Sequence, residues 1–415
     1  MRKYEKEFWS ATRILTKSMS MGESVRNLLF SRERKGVNFS LLYKLVIETI
    51  RRKNYLDALI GRTHKLSLKD RNILRVALFM EKFLRISPPK LPSYLDIIYK
   101  KAIKRNPLEE VDDEIQYYAL KYYHPKWLVR VLLDVAGKDK TIKILEANNI
   151  EPRGKWIRVN TIRTKIEDFL ERWQGLNSSE FSDIFFASKE ILKGMLKSED
   201  LVRGFFIVQD YASGAVVYAL HPEEGEDILD ACAAPGIKSF HIAALTYNKA
   251  NIIATDISMR RIDKMLHLRR RLHANVEIIL ADSTKPPFRY EFDKILLDSP
   301  CSNTGVFREQ PDLRWRLGWK QILMYTNIQK RLLGSMVNLT RRGGEIVYAT
   351  CSILPHEGEG VIKWALDKYN NIELEKITLP KAERGYAIYD FNVNVIRYFP
   401  YMGVRGFFIA KIIVN

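Results

Sequence analysis

The sequence predicts a chain of α/β class. A Rossmann-like domain, with a mostly parallel sheet and a C-terminal antiparallel hairpin, follows an all-α domain. Three observations predict this. From about residue 206, strand-like apolar runs alternate with segments of helical period, as in a parallel sheet covered by helices. Four of those runs close on aspartate, at Asp230, Asp256, Asp282 and Asp298. Before residue 136 the apolar residues instead recur three and four apart, the spacing of a helix face.

In order along the chain, residues 1–135 read as helices. Phe39–Ile50 has the helical period, and residues 70–85 repeat it, with Ser67 as a candidate cap. Pro88, Pro89 and Pro92 break the run. The stretch 136–205 reads as a connector with its own fold, with a strand over 156–160 and a helix over 165–174. Strands are then expected at 227–230, 251–256, 276–282, 294–298 and 345–350. Helices are expected at 237–247, 258–273, 319–339 and 358–369. Two late strands, about 392–398 and 406–413, have no helix between them, which predicts the edge hairpin. The borders expected from these patterns are 1–138, 139–205 and 206–415.

Composition narrows the partners. The net charge is +19. Residues 1–105 carry 25 Lys and Arg against 9 Asp and Glu, a surplus of 16, and the remainder is near neutral. A basic first third on a neutral body predicts a polyanion-binding module. Three cysteines in 415 residues give no disulfide framework and suit a cytoplasmic protein. Cys232, Cys301 and Cys351 lack the spacing of a zinc site, so no metal is expected. The apolar runs are too short for a bilayer and the first residues lack a signal-peptide core, so no membrane partner is expected. Oligomeric state leaves no mark in the sequence, and a monomer is expected.

The strand ends carry the chemistry. Ligands of open parallel sheets sit beyond the carboxyl ends of the strands. A carboxylate such as Asp256 suits the two hydroxyls of a ribose. Each aspartate alone would also serve as a helix cap; four in register favour a nucleoside site. The loop Asp230-Ala-Cys-Ala-Ala-Pro-Gly-Ile-Lys-Ser239 has small residues for close backbone approach. It has neither the Walker spacing nor the Gly-x-Gly-x-x-Gly pattern. With Asp256 and Asp282, it points to S-adenosylmethionine. Cys301 and Cys351 each follow a strand, and a thiolate is a natural nucleophile for an electron-poor pyrimidine.

These motifs resemble a known family. Asp-Ala-Cys-Ala-Ala-Pro-Gly (230–236), Asp-Ser-Pro-Cys-Ser (298–302) and Ala-Thr-Cys-Ser-Ile-Leu-Pro-His-Glu (349–357) are similar to those of RNA cytosine-5 methyltransferases of the Nop/Sun type. Phe206–Asp210, Arg158–Asn160 and Gly406–Ala410 extend the likeness over about 120–415. The helical part resembles the NusB-like RNA-binding domain of bacterial small-subunit rRNA members, and 139–205 an RRM-like module.

The resemblance implies roles. Cys351 would attack carbon 6 of cytosine and Cys301 would help remove the proton from carbon 5. Asp298 would bond the cytosine edge, and Lys238 would lie near both substrates and lower the pKa of the attacking thiol. Asp256 would hold the ribose of S-adenosylmethionine, Asp282 the adenine edge, and Arg261 would flank the adenosine. Cys232, Ala233, Ala234, Pro235 and Gly236 would form the cofactor loop. For Cys232 a packing role is the stronger expectation. The RNA is expected to be rRNA, with tRNA as the alternative. Arg308 is read as an RNA contact, and Trp315 as either a stacking ring or a buried one.

The chain departs from the family pattern at Ile237, Ser299, Asn303, Gly358 and Arg405. Two other readings compete. A DNA cytosine-5 methyltransferase would use the Pro-Cys thiol as nucleophile, but the Thr-Cys motif argues against it. A non-catalytic rRNA assembly factor would not need both cysteines, Lys238 and the strand-end acids.

Overall fold

The computed structural model describes residues 4–31, 36–62 and 66–415. The helical reading of 1–135 also covers residues 1–3, 32–35 and 63–65, which lie outside the described set. The chain divides into two compact units: residues up to Ile150 together with Phe307–Leu317, and Glu151–Val306 together with Gly318–Asn415.

The first unit is helical. Its helices are Glu5–Met21, Val25–Phe30, Phe39–Arg51, Lys53–Ile60, Leu68–Phe79, Ser93–Ala102, Glu114–Lys121 and Lys126–Ala147. Asn38 and Ser67 cap two of them by accepting from the backbone N–H groups of Leu41 and Asp70, satisfying donors that a helix start leaves free. The three-and-four spacing then buries Leu42, Leu45, Val46 and Ile50 against Leu74, Val76 and Ala77. Each such leucine, isoleucine or valine contributes roughly 1.5–3 kcal/mol. The helix expected over 70–85 ends its α turns at Phe79 and continues as a π turn over Met80–Leu84.

The border expected at 138/139 lies one residue past Gly137, whose φ of 73° and ψ of 173° interrupt the helix Lys126–Ala147. The helical unit nevertheless continues to Ile150. It also recruits Phe307–Leu317, far along the chain. Arg314 is fully buried there and donates to the Tyr123 carbonyl (2.8 Å), Asn149 Oδ1 (2.9 Å) and the Asn148 carbonyl (2.7 Å). The Trp315 indole donates to the Ile50 carbonyl at 2.6 Å, and Arg308 Nε donates to the Ile150 carbonyl at 2.8 Å. Trp315 is half-buried against the helical core, so it is neither the fully buried ring nor a freely exposed one. The Arg308 guanidinium, expected on RNA, is bonded within the unit.

The second unit holds two sheets. The smaller has strands β1 (Gly154–Val159), β2 (Asn177–Ser178), β3 (Ile184–Ser188) and β4 (Phe206–Val208), all antiparallel in the order β2-β3-β1-β4. The larger has β5 (Asp227–Asp230), β6 (Asn251–Asp256), β7 (Glu277–Leu280), β8 (Phe292–Asp298), β9 (Thr340–Thr350), β10 (Ile372–Glu375), β11 (Glu383–Arg384), β12 (Ile396–Tyr398) and β13 (Phe407–Val414). Its order is β11-β12-β13-β9-β8-β5-β6-β7, with β10 also on β13. Strands β5 to β9 are parallel, and β13 runs antiparallel beside β9. The late hairpin is present, but the sequence reading missed β10 and β11. These are short, half-exposed strands without an apolar run to announce them.

Both faces of the large sheet are buried, which explains its continuous apolar strands. Ile228, Leu296, Val347 and Ile409 pack with the helices Tyr211–Leu220, Ser239–Leu245 and Met259–Leu272. Their neighbours Leu229, Ile295, Ile346 and Phe408 face the helices Trp319–Val337 and Glu359–Lys368. Adjacent β5 is flanked by β6 on one side and β8 on the other, with connections leaving in opposite directions. This switch point is where an open α/β sheet forms a ligand crevice. No described helix is long and apolar enough to cross a membrane.

Candidate active site

The loop after β5 begins at Asp230, which is 1% exposed. Burial pushes its carboxyl up to about 7, against a hydrogen bond from Ser239 Oγ (2.6 Å) and the nearby Lys238 charge. The loop is pinned by backbone. Ala231 N donates to the Leu296 carbonyl (2.9 Å), and Ala233 N to the Thr255 carbonyl (2.8 Å). The Thr255 and Ser283 hydroxyls both donate to the Ala231 carbonyl. Gly236 has φ 93°, and a Cβ there would lie 2.5 Å from the Phe240 ring. Only glycine meets both demands.

Asp256 closes β6 and is 2% exposed. Its Oδ1 accepts from Ser258 N (2.9 Å) and Arg261 Nε (3.2 Å), and its Oδ2 from Arg261 Nη2 (2.5 Å) and Ala234 N (3.3 Å). Two expected cofactor residues are thus joined in a forked ion pair. β7 ends at Leu280, so Asp282 lies two residues beyond the strand and does not close it as expected. A backbone and a hydroxyl hydrogen bond from Thr284 hold its carboxyl below the usual range.

The two cysteine loops follow β8 and β9. Their register pairs Asp298 with Ala349, which brings Cys301 Sγ and Cys351 Sγ to 3.3 Å. Cys351 Sγ also contacts Asn303 Oδ1 at 3.0 Å. The Cys301 thiol is pushed well above its ordinary value, first by its hydrogen bond with Cys351 and then by burial. Burial, with the Asp230, Asp256 and Asp298 carboxylates, pushes the Cys232 thiol up too, as suits a packing thiol. Lys238 Nζ donates to Asp298 Oδ2 at 2.5 Å. The ammonium expected to activate the attacking thiol is therefore held by the neighbouring carboxylate.

A cavity of about 600 Å³ joins these parts. It is lined by Cys232, Ala234, Asp256, Arg261, Asp282, Asp298, Cys301 and Cys351. Ala233, Pro235, Gly236 and Lys238, also expected in the site, are absent from the lining. They shape the loop or, for Lys238, reach the cavity through Asp298.

Sequence reasoning missed what braces the thiols. Glu357 is fully buried and burial pushes its carboxyl up. It accepts from Ser302 N (2.8 Å), Ser302 Oγ, Ser352 Oγ (2.6 Å) and Gln329 Nε2 (3.3 Å). One side chain thereby ties the residue after Cys301 to the residue after Cys351. Gly305 N donates to the Cys351 carbonyl (3.0 Å), and Gly406 N to the Gly305 carbonyl (2.9 Å). Glu357 ends the Thr-Cys motif, so it was in view, but no local pattern marks a glutamate as buried. Among the described residues no cluster of three or more His, Cys, Asp or Glu could hold a metal ion.

Two family models match the chain. One, described as 16S rRNA methyltransferase RsmB/F, matches residues 217–413. The other, an RsmF/B-like ferredoxin-like domain, matches 124–179. The ribosomal RNA small subunit methyltransferase B of Yersinia enterocolitica is 33% identical over 283 residues, 65% of this chain and 65% of that protein. The probable ribosomal RNA small subunit methyltransferase B of Bacillus subtilis is 28% identical over 422 residues, 93% of each. A solved methyltransferase homolog from Pyrococcus horikoshii is 28% identical, with a TM-score of 0.65 over 73% of this chain and 99% of that one.

Proposed function

Because the chain belongs to the RsmB/F family of 16S rRNA methyltransferases, we propose that it methylates carbon 5 of a cytosine in RNA, rRNA rather than tRNA. The methyl donor is S-adenosylmethionine, and the reaction runs through a covalent adduct on Cys351. The observation that carries this reading is the pair of sulfurs 3.3 Å apart, on the same cavity as Asp298, Asp256 and Asp282.

The residues present fit the cofactor. The loop after β5 brings Cys232 and Ala234 to the cavity wall beside Asp256. Asp256 and Asp282 are acceptors suited to the ribose and the adenine edge, with Arg261 alongside. The Ser299 hydroxyl, 4% exposed, has no partner among the described residues and lines the cavity. When bound, S-adenosylmethionine supplies the electrophilic methyl group.

Cytosine carbon 5 is a poor nucleophile until something adds at carbon 6, so a covalent step divides one difficult reaction into two. Cys351 Sγ forms the bond to carbon 6. Asp298, oriented by Lys238, bonds the cytosine edge and favours a proton on nitrogen 3. Cys301 assists loss of the carbon-5 proton, after which the bond to Cys351 breaks. A paired target base would have to leave its stack to reach the thiol. The basic helical unit is the part proposed to hold the RNA backbone.

The test incubates wild type, Cys301→Ala and Cys351→Ala with RNA and S-adenosylmethionine. A denaturation-resistant protein–RNA adduct is expected for Cys301→Ala and none for Cys351→Ala. The reverse pattern would overturn the assignment of roles. A wild-type protein that methylates neither total rRNA nor total tRNA would overturn the enzyme reading.

A further inference from the structure

Asn303 touches both cysteine loops. Its φ of 58° is left-handed, a region that asparagine tolerates better than most residues. Its side chain makes two contacts. Nδ2 donates to the Cys301 carbonyl at 3.0 Å, and Oδ1 lies 3.0 Å from Cys351 Sγ. The first contact settles the second. A carbonyl oxygen takes only a donor, so the amide nitrogen must face Cys301 and the amide oxygen must face Cys351.

We propose that Asn303 is a positioning residue that holds the proton on Cys351 and thereby orders the thiol pair. An amide oxygen has no hydrogen, so Cys351 donates its S–H to Asn303. That leaves the lone pairs of Cys351 to receive the Cys301 S–H across the 3.3 Å gap. The chain of donors runs Cys301 to Cys351 to Asn303. Two similar thiols are thereby made unequal: the Cys351 proton is held by the Asn303 amide oxygen, and the Cys301 proton by the sulfur of Cys351. The elevated proton affinity of Cys301, whose largest cause is its bond with Cys351, agrees with that direction.

The importance of this order rests on Cys351 being the attacking thiol, but the test needs no RNA and so stands or falls separately. Purified full-length protein is alkylated with iodoacetamide between pH 6 and 10. Modification of the Cys351 peptide is followed by mass spectrometry. Asn303→Gly removes the carboxamide where glycine is unstrained. It withdraws a neutral acceptor that holds the Cys351 proton. The alkylation midpoint should then fall by about half a unit to one unit, the effect of one ordinary hydrogen bond. Asn303→Asp places a carboxylate against the sulfur and should raise the midpoint by about one unit or more.

Neither substitution touches the other charged groups facing the thiols. These are Glu357 behind both loops, Asp298 with Lys238, the Asp256–Arg261 pair, Asp282 and Arg331. A midpoint that stays put or rises in Asn303→Gly overturns the proposal. So does one that fails to rise in Asn303→Asp. A merely structural role for Asn303 would not move the two variants in opposite directions.

Discussion

Asp230 gives the fold a stability that depends on pH, and Asp230→Asn should abolish that dependence. The carboxyl is 1% exposed at the end of β5. Ser239 Oγ donates to Oδ2 at 2.6 Å. Its pKa stands at about 7 against an ordinary 3.8. The raised folded value means that the folded state holds its proton more tightly than the unfolded chain. Stability from this group is therefore fully present below pH 4 and is lost as pH rises toward 7. A difference of about 3 units corresponds to an upper limit of about 4 kcal/mol. Asparagine keeps an acceptor for Ser239 and carries no charge to bury. Urea unfolding of wild type and Asp230→Asn at pH 5 and pH 8 measures the effect. Wild type should lose up to about 2.6 kcal/mol more than the variant between those conditions, the rest of the effect being already lost between pH 3.8 and pH 5. Equal losses in the two proteins would refute the reasoning, because the titrating group would then lie elsewhere.

Two further substitutions probe the braces. In Gly305→Ala the new Cβ would lie 2.1 Å from the Gly406 carbonyl oxygen and 2.8 Å from that of Cys351. Both are main chain and cannot turn aside, so a loss of about 3 kcal/mol or more is expected. Thermal unfolding should report it, and when Gly305→Ala is combined with Cys301→Ala the covalent adduct expected of Cys301→Ala should vanish even in protein that remains folded. Trp315→Ala removes a half-buried ring, its bond to the Ile50 carbonyl and its contact with Lys53 (5.3 Å from the ring centroid). Stability should fall by about 2–3 kcal/mol. The slope of RNA affinity against salt should not change, because the lost contacts lie inside the protein; a flatter slope would return Trp315 to the RNA surface.

The legible part of the fold came from periodicity. The strands 227–230 and 251–256 are observed at those bounds, because an apolar run ending in aspartate and a small-residue turn has few other folds. The helix expected over 319–339 spans Trp319–Val337 for the same kind of reason. Illegible parts lacked a local pattern. Arg314 in Arg-Trp-Arg looks like a surface cation, yet carbonyls from residues 123 and 148 bury it. Glu357 resembles any acid at a helix start until Ser302, Ser352 and Gln329 converge on it.

The sequence by itself determined the α/β alternation, the acids at the strand ends and the presence of two motif cysteines. Each depends on near neighbours in the chain, where period and residue type are sufficient. Only the tertiary structure decided which groups meet: Lys238 with Asp298, Asp256 with Arg261, and one sulfur against another across 50 residues. It also decided that residues 307–317 belong with the helices and that Asn303 faces Cys351. Those outcomes depend on strand register and on which buried donor finds which acceptor. They are properties of the packed chain, because hydrogen-bond partners far apart in sequence are chosen only when water is excluded around them.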